Sequence, residues 1–188
     1  MTLSNLTEPV SLGGFSISLP LLLNKLAPYA SKEGFLFFGS TDTSASEKCW
    51  IFLEPIAQAL GLNNSSELKF FSHTLSGHSE QTESILYQNS VTAIEELVKF
   101  TDNNQSSCST PRIAGSFSYE LLHAFEHVPK ATSDKLGFPL YSLYLYRSYI
   151  EYQSGVATLY RNYQQEELTE INLHPLWNID NLWNCLLY

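Results

Sequence analysis

The chain of 188 residues sets ten Lys and Arg against nineteen Asp and Glu, a formal net charge of −9, with 44% hydrophobic and 13% aromatic residues. That length and apolar content suit one domain with a substantial core. The acidic balance, with no basic stripe, argues against phosphate-backbone binding and against an anionic membrane surface. Cys49, Cys108 and Cys185 show no Cys-x-x-Cys spacing, so free thiols in a reducing compartment are expected, not a disulfide framework or zinc site.

Residues 1–14 read as an irregular or short-strand lead-in, with Gly13-Gly14 as a breaker. The aliphatic run at 19–23 is far too short to cross a bilayer and no basic residue precedes it. Neither a membrane span nor a secretory leader is expected, and the cytoplasm is the natural compartment. Pro20 suits the first turn of a helix over 19–30, whose greasy side is Leu22, Leu23 and Leu26. Apolar runs at 35–38 and 50–53, separated by a polar loop, predict an antiparallel pair of strands, the second stopped by Glu54-Pro55. Residues 56–60 fit strand or helix, 68–75 suit a strand, and 77–84 read as polar chain.

A helix is predicted over 90–101, with Ile94, Leu97 and Val98 on one side and Glu95 and Lys99 as an i,i+4 pair. After a polar loop at 101–110, an apolar run ends at Gly115 and the period changes, which predicts a strand feeding a helix over 119–126. Phe117 and Tyr119 are expected to fill the sheet and Phe125 to seat the helix. The Tyr-rich alternation at 140–152, the turn residue Gly155 and the return at 156–163 predict a hairpin. Residues 175–188 carry Trp177, Leu182, Trp183, Leu186 and Leu187 at helix-like spacing, predicting a helix over 177–187 that needs a surface to pack on.

Glu120, His123 and His127 share one face if 119–126 is helical, which would align three metal-ligating groups; a solvated helix surface is the plainer reading. Glu54 and Glu126 could form an acid/base pair, or simply end a strand and a helix. The stripe Tyr141, Tyr144, Tyr146, Tyr149 and Tyr152 suits sheet packing better than base stacking in so acidic a chain. Ser40, after Gly39, reads either as a turn or as a hydroxyl lining a ligand pocket. No Gly-x-Ser-x-Gly and no cysteine in a reactive context is present.

The run Gly115-Ser-Phe117-Ser-Tyr119-Glu120, followed by His123, Phe125-Glu126 and Val128-Pro129, resembles the N-terminal portion of the chorismate-utilising component I proteins. These are anthranilate synthase component I and, more closely, aminodeoxychorismate (para-aminobenzoate) synthase component I. The runs Phe35-Leu-Phe-Phe-Gly-Ser40 and Trp50-Ile-Phe-Leu-Glu54-Pro55, then Pro139 and the aromatic hairpin, follow the same order over about 19–161. Departures stand at Pro111-Arg112 in place of a Gly-Gly, Glu120 for Asp and His123 for Arg, and the Arg-Tyr-Ser element is missing around 46–48.

The resemblance implies an α+β lobe, an antiparallel Tyr-rich sheet with packed helices over 1–188 as one domain, without the chorismate-binding catalytic domain. It implies no catalytic residue and no cofactor in this chain, because the family's magnesium site belongs to that other domain. It implies Ser40 in a tryptophan-type pocket. As partners it implies a glutamine amidotransferase subunit and a separate chorismate-binding chain, in the step from chorismate to 4-amino-4-deoxychorismate of folate synthesis. The alternative is a stand-alone module derived from that lobe, sensing an aromatic amino acid or docking a partner protein.

Overall fold

The computed structural model describes residues 10–27, 37–39, 48–73, 79–102, 113–126 and 137–161. Its strands in chain order are β1 (Val10–Ser16), β2 (Phe37–Gly39), β3 (Lys48–Gly61), β4 (Ser66–His73), β5 (Ser79–Tyr87), β6 (Ile113–Phe117), β7 (Tyr141–Gln153) and β8 (Val156–Arg161). The helices are α1 (Leu19–Leu26), α2 (Thr92–Asp102) and a single-turn α3 (Leu122–Phe125) preceded by the 3₁₀ turn Tyr119–Leu121.

All eight strands belong to one antiparallel sheet, and β3 and β7 are its spine. They pair from Lys48↔Gln153 to Gly61↔Tyr141. The other edge of β3 takes β2 along its first half (Phe37↔Ile51) and β4 along its second (Ala57↔Phe70). The other edge of β7 takes β6 at 141–145 and β8 at 148–153. β1 extends the sheet beyond β8 and β5 extends it beyond β4. Two half-sheets therefore share the same two long strands.

The predicted stop at Glu54-Pro55 is a bulge instead. Glu54 adopts φ 56 and the register slips between Pro55 and Ala57, so β3 carries one extra residue and continues to Gly61. Proline cannot donate to a ladder, and a bulge is where a strand tolerates it. Residues 56–60 are thus strand. β1 likewise runs through Gly13-Gly14, and the polar chain at 77–84 largely belongs to edge strand β5.

Alternation sorts the core into three clusters. Cys49, Ile51 and Leu53 of β3, with Ile150 and Tyr152 of β7 and Ala157 and Leu159 of β8, pack against Leu22 and Leu26 of α1. Ala57 and Ala59, with Leu68, Phe70, Tyr141, Leu143 and Leu145, pack against Ala93 and Leu97 of α2. The intervening Phe52, Tyr146 and Tyr149, with Ala114, form a third cluster drawn from strands. The ion pair on α2 joins Lys99 to Glu96 at 2.6 Å, one position on from the expected Glu95.

Ser66 fastens α2 to the sheet. Its side chain is fully buried, its hydroxyl donates to Asn89 C=O at 2.5 Å, and it accepts from Ala93 N–H at 3.1 Å. Tyr141 O–H donates to Ser90 C=O at 2.7 Å beside it. A Ser66→Ala substitution leaves the buried Ala93 N–H without its acceptor and the Asn89 C=O without its donor, and lowers stability by about 1–2 kcal/mol. Urea midpoints check this, with the first turn of α2 losing hydrogen-exchange protection.

Candidate functional site

The third cluster is built largely from aromatic rings. Phe52 meets Tyr146 at 5.2 Å and Tyr149 at 6.3 Å between ring centroids, Tyr144 meets Tyr146 at 5.9 Å, and Tyr149 stacks on Tyr160 at 5.0 Å. Tyr144 and Tyr146 contribute from even positions of β7 but Tyr149 from an odd one, so its alternation changes phase opposite the β3 bulge. That slip lets one aromatic cluster run across both half-sheets. Trp50 packs on its margin, with the Lys48 ammonium 5.0 Å from its ring and Lys48 paired to Glu151 at 3.0 Å.

Two polar nodes flank these rings. Gln58 Nε2 donates to Ser142 Oγ at 3.0 Å and to Tyr144 Oη at 2.8 Å. At the bulge, Ser148 Oγ donates to the Glu54 carboxylate, which also faces Arg161 Nη2 at 3.6 Å. Ser148 is buried, so its hydroxyl is closed to a substrate and the trio serves to lock the bulge. The signal in the sequence is faint: two serines, Ser142 and Ser148, inside an otherwise Tyr- and Leu-rich alternation. The donor Trp50 Nε1 is buried with no acceptor among the described residues.

Burial pushes the Tyr146 phenol well above the usual tyrosine range, and burial also raises Tyr141. Folding therefore favours the protonated phenols. Their contribution is complete below the unfolded value of about 10 and is lost as pH rises beyond it toward the folded values. Near-UV absorbance is expected to show these phenols ionising together with alkaline unfolding, and Tyr146→Phe is expected to flatten the alkaline decline.

The other expected site residues fall differently. Ser40 lies outside the described residues; β2 ends immediately before it, with Gly39 opposite Cys49. The helix expected over 119–126 is a 3₁₀ turn and one α turn, and Glu126 is already extended at φ −126 and ψ 147. Glu120 falls in the 3₁₀ turn and His123 in the α turn, while His127 is outside the described residues. Among the described residues no group of three His, Cys, Asp or Glu side chains is gathered for a metal. Glu54 is engaged at the bulge while Glu126 caps α3 in solvent.

The strand-to-helix exit carries the main correction. Phe117 and Tyr119 do not fill the sheet and Phe125 does not seat the helix: they are 61%, 79% and 66% exposed, although the Phe117 ring meets that of Tyr141 at 6.5 Å between centroids. Ser118 Oγ caps the turn by accepting from Glu120 N–H at 3.2 Å. Gly115 is the residue that packs, because a Cβ there would lie 2.0 Å from Ser142 O of β7. The described helices are too short or too polar to cross a membrane. No family model matches this chain, and no curated protein matches it.

Proposed function

We propose that this chain is a noncatalytic lobe related to the N-terminal part of aminodeoxychorismate synthase component I, acting beside a separate chorismate-binding chain and a glutamine amidotransferase subunit. The observation that carries the reading is where the family-like runs sit. The Trp50-to-Pro55 run lies on β3, the Gly115-to-Phe117 run on β6 and the aromatic hairpin on β7 and β8, with β7 between β3 and the other two. Gly115 supports it further, since a Cβ at the glycine of the motif would collide with the β7 backbone. On this reading the lobe supplies shape and contact surface, and the chemistry belongs to its partners.

Reconstitution tests it. Product formation from chorismate and glutamine is expected to need all three chains, with this chain alone inert. Equal rates without this chain, together with separate elution of the components, would overturn the reading. A second reading, a stand-alone interaction module, is favoured by the exposed Phe117, Tyr119 and Phe125. It predicts no effect of this chain on that reaction. Its amino-acid-sensing form predicts heat on titration with tryptophan, and calorimetry without heat would remove that form.

A further inference from the structure

β5 is the last strand on its side of the sheet, pairing with β4 and with no other described strand. Its register slips between Gln81 and Glu83, so Thr82 bulges and 83–87 run on opposite 66–70 of β4. Residues 83–86 are all exposed, and two of them are large aliphatics, Ile85 at 39% and Leu86 at 71%. Edge strands are ordinarily blunted by bulges and charge. The Thr82 bulge and Glu83 do this at one end, yet Ile85 and Leu86 beyond them are left uncovered.

The two aliphatics lie on opposite sides of the sheet, which decides what kind of cover fits. Ile85 pairs with Leu68, on the side packed against α2, so Leu86, opposite Glu67, belongs to the other side. A helix laid on the sheet reaches one side alone. A strand added beside β5 carries side chains to both, and its main chain takes up the open edge. Charge narrows the partner further. Residues 70–98 hold Glu80, Glu83, Glu95 and Glu96 and no Lys or Arg. The flanking cations are engaged: Lys69, opposite Ser84, pairs with Glu67 at 3.4 Å, and Lys99 pairs with Glu96 at 2.6 Å. A second copy would bring the same glutamates and another net charge of −9 to this edge, whereas Lys or Arg would be matched.

We propose that the β5 edge at 83–87 docks an extended segment of a partner protein in which Lys or Arg flank adjacent aliphatic residues. The segment adds to the sheet as one more strand, covers Ile85 and Leu86 from their two sides and sets its cations against the glutamates. This inference stands independently of the lobe reading, because β5 carries none of the family-like runs and the test needs no chorismate-linked partner.

Fluorescence anisotropy with a labelled, terminally blocked peptide Lys-Lys-Val-Ile-Lys-Lys, run alongside hydrogen exchange on the full chain, provides the test. Saturable binding is expected, with exchange at 83–87 slowed by roughly tenfold or more. Methylating the Val and Ile amide nitrogens, which point to opposite edges of the peptide strand, keeps its charge and is expected to weaken binding by roughly tenfold. An Ile85→Ser/Leu86→Ser chain, altered only at exposed positions, is expected to bind about fivefold more weakly while β3 and β7 keep their protection. Equal binding of the methylated peptide, or equal binding by the serine variant, reduces the effect to attraction by an acidic chain and overturns the proposal. So does an absence of binding, or binding that leaves exchange at 83–87 unchanged. Protection of 83–87 that grows with concentration in the chain alone, with a dimer in sedimentation, gives the edge to a second copy and overturns it as well.

Discussion

A Gly115→Ala chain is expected to unfold about 3 kcal/mol more easily than the parent, a fall in Tm of roughly 9 °C for a domain of this size. The added methyl would lie 2.0 Å from Ser142 O and 2.8 Å from Leu143 Cα, and both are backbone atoms of the central strand. Relief requires β6 to lift from β7 along Ile113↔Leu145 to Phe117↔Tyr141, at the expense of ladder hydrogen bonds. Gly14→Ala on β1 is the matched control. Its methyl would meet Thr158 Oγ1 at 3.1 Å, a side-chain atom that can give way, so a change of a few tenths of a kcal/mol is expected. Equal losses at the two positions in urea titrations would show that β6 does not approach β7 so closely.

Phe52→Ala is expected to be at least as damaging, by about 3–5 kcal/mol. Phe52 is almost wholly buried and touches Tyr146 and Tyr149, rings from the two phases of β7. Removing it opens a void at the point where the aromatic cluster crosses from one half-sheet to the other. Relaxation is restricted because Tyr149 is held against Tyr160 on the far side. Phe52→Leu retains most of the volume and should lose under about 1.5 kcal/mol. Near-UV circular dichroism checks the same claim separately: the alanine variant should lose aromatic signal out of proportion to one phenylalanine.

The elements legible in the sequence were those whose own periodicity settles them. The hairpin of β7 and β8 announces itself through alternating tyrosines and the Ser154-Gly155 turn, where both residues have positive φ. The buried side of α2 is nearly as plain, with Leu97 fully buried and Ile94 packed beside it, although Val98 is exposed. β5 was hidden because an edge strand needs little apolar character, and Glu83 and Ser84 face solvent. The continuation of β3 was hidden because Glu54-Pro55 ends most strands; only the ladder to β7, remote in sequence, overrides it. The exposed aromatics at 117–125 misled for a related reason. Alternation says which residues share a side, but not whether anything covers that side. The pocket role of Ser40 rested on resemblance alone, and Ser40 lies outside the described residues.

The spine also fixes when this fold can form. β3 and β7 join residues as distant in sequence as Lys48 and Gln153, and every other strand attaches to that pair directly or through one neighbour. Closing so large a loop is paid in chain entropy before any of the ladder is gained. The β7–β8 hairpin and α2 can appear early as local structure, whereas the two half-sheets must wait for the same encounter. Refolding should therefore be slow, in roughly the millisecond-to-second range, with both helix-covered clusters gaining protection in one phase.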